Sequence, residues 1–158
     1  MKTNKILRLI FAILICQLAG AIGSAFTFSS IPTWYASLQK PFFNPPSWLF
    51  GPAWLLLYTL MGISLYLIWD KGLKNKNVKL AVKIFGIQLI LNALWTILFF
   101  GLRSPFYAFI EIILLWVSIV LTIFYFLKIS KKAACLLVPY LLWVTFALAL
   151  NYSILVLN

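Results

Sequence analysis

Apolar residues run along this chain in five long blocks, separated by short polar or proline-rich breaks. The blocks cover about Ile6–Phe28, Trp48–Trp69, Leu80–Phe100, Phe106–Leu127 and Ala133–Leu157. Each meets the roughly 20 mainly apolar residues that a helix needs to cross a bilayer. Between them, Ser29 to Pro46 carries Pro32, Pro41, Pro45 and Pro46, and Asp70 to Lys79 is polar. Gly101 to Pro105 (GLRSP) is a tight turn, and Lys128 to Lys132 (KISKK) is a short basic loop. A membrane barrel would alternate in polarity over ~10-residue strands, which these blocks do not do. Connections this short make successive helices antiparallel neighbours. The pattern predicts an all-α integral membrane protein, a single-domain bundle of five transmembrane helices spanning residues 1–158.

Composition agrees. The chain is 65% hydrophobic and 9% charged, whereas a soluble domain carries roughly a quarter charged residues. Such a sequence cannot build a water-facing surface, which excludes a soluble enzyme, a nucleic-acid-binding domain and a disordered tail. The first block has a second reading as a secretory signal peptide, with Lys2, Lys5 and Arg8 ahead of it and Ala19-Gly20-Ala21 as a small-residue cleavage site. Its apolar run continues to Phe28, which favours a span. A lipoprotein site at Cys16 fails because Ile15 is too bulky for the preceding position.

Charge sets the expected orientation. Thirteen Lys and Arg oppose only Asp70 and Glu111. Lys2, Lys5, Arg8, Lys71, Lys74, Lys76, Lys79, Lys83, Lys128, Lys131 and Lys132 share one side of the bundle, leaving Lys40 and Arg103 on the other. By the positive-inside rule this predicts a multi-pass protein of the cell membrane with a cytoplasmic amino terminus and an external carboxyl terminus. No histidine occurs, so zinc sites with His ligands, Ser-His-Asp triads and His-ligated haem are excluded. Cys16 and Cys135 lie in apolar stretches and read as small buried hydrophobes.

Six of the seven tryptophans divide into two groups. Trp48 and Trp69 lie about 31 Å apart along a helix rising ~1.5 Å per residue, which suits an interfacial belt. Trp54, Trp95, Trp116 and Trp143 fall inside spans, where an indole needs a partner for its N–H or a cavity for its flat face. In the expected topology Trp54, Asn92, Trp95, Glu111, Asn151 and the Gly20–Gly23–Ser24 cluster all occupy the outer half of the membrane. Trp143 reaches towards the midplane. Polar groups at membrane depth normally face the bundle interior or a cavity, so the pattern predicts a cavity beneath the proline-rich first loop. Glu111 reads either as a protonated acid or as a partner of Arg103. Asn92 and Asn151 read first as hydrogen-bond links between helices. The small residues from Ala19 to Ala25 either allow close helix packing or leave space for a ligand.

Trp34 to Pro41 (WYASLQKP), followed by Asn44-Pro45-Pro46, closely resembles the first loop of the translocator protein family, also called the tryptophan-rich sensory proteins or peripheral-type benzodiazepine receptors. The likeness continues through FGPAWLLLYTLMGISLYLIW, QLILNALWTILFFG and PYLLWVTFALALN, and so covers nearly the whole chain. This resemblance implies a five-helix bundle, often a homodimer in the lipid bilayer, with a ligand pocket under the first loop. It implies binding of protoporphyrin IX, haem or other flat apolar ligands, including benzodiazepine-site compounds, with no required cofactor. Ligand-binding positions carried over are Gly23, Tyr35, Trp54, Asn92, Trp95, Tyr107, Ala147 and Leu150, and Trp34 stands in the matching loop motif. Some bacterial members are reported to degrade protoporphyrin IX in light, and Trp54 and Trp143 match the tryptophans implicated.

The chain departs from the family pattern in two places. Phe43 stands where many members have tryptophan, and Tyr152 is followed by no cation up to Asn158, which weakens the expectation of cholesterol transport. Three functions therefore compete: a porphyrin-binding receptor or sensor, a light-dependent porphyrin-degrading enzyme, and a tetrapyrrole or sterol transporter. The transporter lacks the internal repeats usual for that class. Buried porphyrin propionates would need cations, and the outer side offers only Lys40 and Arg103.

Overall fold

The computed structural model describes residues 2–158. Six helices make five spans: α1 (Lys2–Ser30), α2 (Phe50–Trp69), α3 (Lys76–Thr96), α4 (Pro105–Leu127), and the pair α5 (Lys131–Leu136) and α6 (Val138–Leu157). No strand occurs among the described residues. The segments long and apolar enough to cross a membrane are Lys2–Tyr35, Ser47–Trp69, Lys76–Gly101, Pro105–Leu127 and Lys131–Leu157. The chain is an all-α, multi-pass membrane protein.

Local chemistry explains the helix ends. The side chains of Asn75, Ser104 and Ser130 accept hydrogen bonds from the backbone N–H groups of Asn77, Tyr107 and Ala133, capping α3, α4 and α5. Pro105 follows its cap at the first helical position, where its missing N–H costs nothing. Pro139 has the opposite effect. It cannot donate to the carbonyl four residues back, so the fifth span breaks at Leu137 into α5 and α6. Pro32 similarly coincides with a wide π-helical turn, Ile31–Tyr35, that prolongs α1. A second π turn, Ile97–Gly101, prolongs α3, and within it the consecutive residues Phe99 and Phe100 are both buried.

Around the bundle the order is α1, α2, α5–α6, α4, α3. The short connection after Asp70 does not make α2 and α3 close neighbours, contrary to the expectation from loop length. Instead α1 packs extensively on both. Its buried residues Ala12, Cys16, Ala19 and Gly23 form a small-residue stripe at alternating spacings of four and three, which lets neighbouring backbones approach closely. At Gly62 the backbone of Ile13 leaves no room for a Cβ, and at Gly20 an added Cβ would lie 2.6 Å from the Tyr58 ring.

At the lysine-rich end, Asp70 pairs with Lys5 at 3.5 Å and Arg8 at 3.9 Å, and Arg8 also lies over the Trp69 ring. These contacts tie the start of α1 to the end of α2. Two sequence readings need correction. Cys135 is exposed, while Cys16 is buried as expected. Glu111 forms no ion pair with Arg103: both its carboxylate oxygens are buried without a hydrogen-bond partner among the described residues.

Candidate ligand-binding site

At the end of the bundle opposite the lysine-rich loops, α1, α2, the end of α3, α6 and both π turns line a cavity of about 900 Å³. Its walls are mainly aromatic. Trp54, one turn into α2, stacks on Tyr58 with ring centroids 5.4 Å apart and planes 27° apart. Across from it, Trp143 of α6 stands 6.4 Å away at 86°. Trp95 stacks on Phe99 at 5.3 Å, its indole N–H donating to Asn151 Oδ1 at 3.0 Å. The Asn151 amide in turn donates to the Pro105 carbonyl at 2.9 Å. Asn151 thus links α3, α4 and α6 and holds the Trp95 face against the cavity, which combines the two roles open to it in the sequence.

Behind the Tyr58 wall lies a fully buried polar chain. The Tyr58 hydroxyl donates to Asn92 Oδ1, the Asn92 amide donates to the Tyr140 hydroxyl at 2.9 Å, and Tyr140 donates to Gln88 Oε1 at 2.8 Å. Buried polar groups are costly unless paired, and here they join three helices in one arrangement. Asn92 therefore supports the cavity wall from behind and does not line it. Sequence reasoning missed Tyr58, Tyr140 and Gln88. The available signal was the Gln88–Asn92 spacing, which puts two amides on one face of an apolar helix.

Of the other residues expected at the site, Gly23, Tyr35, Ala147 and Leu150 line the cavity with Trp54, Trp95 and Trp143. Trp34, next to Tyr35, turns away and lines a smaller cavity of about 360 Å³ together with Arg103. Tyr107 is exposed and lines neither cavity. Lys40 lines neither cavity; its amine lies over the Tyr35 ring at 4.9 Å and donates to the Leu38 carbonyl at 3.0 Å. Trp116 lies outside the cavity and donates to Thr145 Oγ1 at 2.8 Å. Trp48, expected in an interfacial belt, is exposed and also lines the cavity rim.

A five-span helical bundle with an aromatic chamber at one end defines a class of small membrane proteins. The TspO/MBR family matches residues 12–157, and the chain belongs to that family. It is 51% identical over 153 residues to Tryptophan-rich protein TspO of Archaeoglobus fulgidus, covering 97% of this chain and 98% of the relative. It is 43% identical to the Translocator protein of Ovis aries over 120 residues, 75% of this chain and 71% of the relative. The Tryptophan-rich sensory protein of Cereibacter sphaeroides is 36% identical over 125 residues, 79% of this chain and 77% of the relative.

Proposed function

We propose that this protein is a membrane receptor or sensor that binds porphyrins, such as protoporphyrin IX or haem, and other flat apolar ligands in the aromatic cavity. The perpendicular pair Trp54 and Trp143 carries this reading: one ring offers a face, and the other an edge, to a planar guest. The cavity volume of about 900 Å³ suits a large organic ligand. The names of the relatives, translocator and sensory protein, fit a receptor-like membrane role. Lys40, whose amine lies over the wall residue Tyr35, is the cation that would meet a propionate, whereas Arg103 lines the smaller cavity. Titrating reconstituted protein with protoporphyrin IX, read by tryptophan quenching, tests the assignment. Saturable binding lost in a Trp54→Ala, Trp143→Ala double variant supports it, and non-saturable quenching overturns it.

The same tryptophan pair favours a second reading, light-dependent porphyrin breakdown, because both indoles would touch one guest. Illumination with protoporphyrin IX distinguishes the two: an enzyme yields a defined new product, and a receptor leaves the pigment bleaching as it does when free. We propose further that the lysine-rich end is cytoplasmic and the cavity end external, from the unequal division of cations. Reporter fusions at both termini test this, and a cytoplasmic signal from the carboxyl-terminal fusion would refute it.

A further inference from the structure

The walls of the cavity are not equally closed. Its residues from α3 and α6 are buried or half-buried, whereas Ala21, Ser24, Phe28, Gly51 and Leu55, all from α1 and α2, are exposed. Those two helices are in tight contact where Gly62 meets Ile13. They are joined again at Gln17, whose side-chain amide donates to the Leu55 carbonyl at 3.1 Å and to Thr59 Oγ1 at 3.0 Å. Past Gln17, α1 still meets α2 where Gly20 faces the Tyr58 ring, and beyond that contact the small residues Ala21, Ser24 and Gly51 are exposed at the cavity wall. A Cβ added at Gly51 would meet nothing within 4 Å. The Ser24 hydroxyl donates to the Ala21 carbonyl in its own helix at 2.9 Å, so it leaves no free donor there.

The route past the first loop is tied down by contrast. The Tyr35 hydroxyl donates to Asn44 Oδ1 at 2.7 Å. The Gln39 backbone N–H donates to Asn158 Oδ1 at 3.0 Å, and the Asn158 amide returns a bond to the Gln39 carbonyl at 2.9 Å. Phe43 packs on Phe146 with ring centroids 6.1 Å apart. Access from water would have to break this set of contacts. Access through the exposed wall breaks none.

We propose that ligands reach the cavity sideways from the hydrocarbon of the bilayer, through a slot between the cavity-end halves of α1 and α2. Gly51 and Ser24 flank the slot, and the Gln17 bonds form its sill. The inference rests on the reading of the cavity as a ligand site. It also defines the ligand class, because both flanking helices span the membrane and the open side faces lipid. Candidates are molecules dissolved in the bilayer and thin enough to slide in edge-on, in preference to water-soluble anions.

Gly51→Trp tests the slot, since a Cβ at this position meets nothing within 4 Å. In nanodiscs, stopped-flow tryptophan quenching by protoporphyrin IX should show association and dissociation both slowed by about tenfold. Asn158→Ala, which frees the loop, should leave both rates unchanged. Unchanged rates in Gly51→Trp, or faster rates in Asn158→Ala, would overturn the proposal, as would a large loss of affinity without slowing. Ser24→Leu gives a second obstruction if Gly51→Trp fails to fold. If the porphyrin does not bind the parent protein, the functional reading fails separately. A phospholipid carrying a diazirine on its acyl chain then decides the slot alone: labelling of Trp54 and Ala147 that Gly51→Trp abolishes supports it, and no labelling of either residue overturns it.

Discussion

The indole of Trp54 stands at 86° to that of Trp143, with ring centroids 6.4 Å apart, although 89 positions separate them in sequence. Two large flat side chains from different spans thus form one corner of the chamber. Phe50 and Phe146 extend it, at 6.4 Å and 5.6 Å from Trp143.

Replacing either Trp54 or Trp143 by Phe keeps an aromatic surface and removes the indole. Each change should weaken protoporphyrin binding by roughly three- to tenfold, corresponding to the ~0.5–1.5 kcal/mol of an aromatic contact. If the protein degrades porphyrin in light, product formation should fall further than binding does. Conversion at the parent rate in both variants would remove these residues from that reaction.

Asn92→Ala should cost about 1–3 kcal/mol of stability, because it strands the buried Tyr58 hydroxyl and removes the amide donor from Tyr140, which keeps only its bond to Gln88. Thermal unfolding in detergent measures the loss. Ligand affinity should also drop, since Tyr58 underlies Trp54. An Asn92→Ala protein that melts at the parent temperature would show that the polar chain does not hold the wall.

The glycines divide by what surrounds them. Gly62→Ala should destabilise the bundle by about 1–3 kcal/mol, because the new methyl group meets the backbone of Ile13 and forces α1 and α2 apart. Gly86→Ala has no neighbour within 4 Å and should be neutral, or stabilising by up to about 1 kcal/mol through helix propensity. Parallel melting curves of the two variants make the comparison, and equal effects would contradict the packing.

Lys40→Gln should weaken protoporphyrin by about fivefold to thirtyfold, the ~1–2 kcal/mol of a partly exposed charge-assisted hydrogen bond. A neutral benzodiazepine-site ligand should bind almost as before. Equal losses for both would trace to the first loop, since Lys40 also packs over Tyr35.

Haem, if bound in the cavity, should give a spectrum without strong axial ligation by the protein. The chain has no histidine, and Cys16 and Met61 do not line the cavity. The wall hydroxyls of Tyr35 and Tyr58 already donate to asparagines. A low-spin, doubly ligated spectrum would contradict this arrangement.

Five spans, the all-helical class and the placing of the unusual residues near one end were legible in the residues alone. Hydrocarbon imposes a length and a polarity on any segment that crosses it, and those constraints are local to each segment. The side chains that share a chamber were less legible. Trp34 and Tyr35 are adjacent in one motif, yet the π turn sends Tyr35 into the large cavity and Trp34 into the small one. Asn92 was marked as polar in an apolar helix, but its position behind Tyr58 depends on Tyr140 reaching it from α6, 48 residues away. Loop length suggested that α2 and α3 adjoin, and the small-residue stripe of α1 instead set the order of the bundle. Hydropathy along one strand of sequence determines which segments cross the membrane. Helix rotation, crossing and partner choice are decided only when side chains from distant segments compete for the same space.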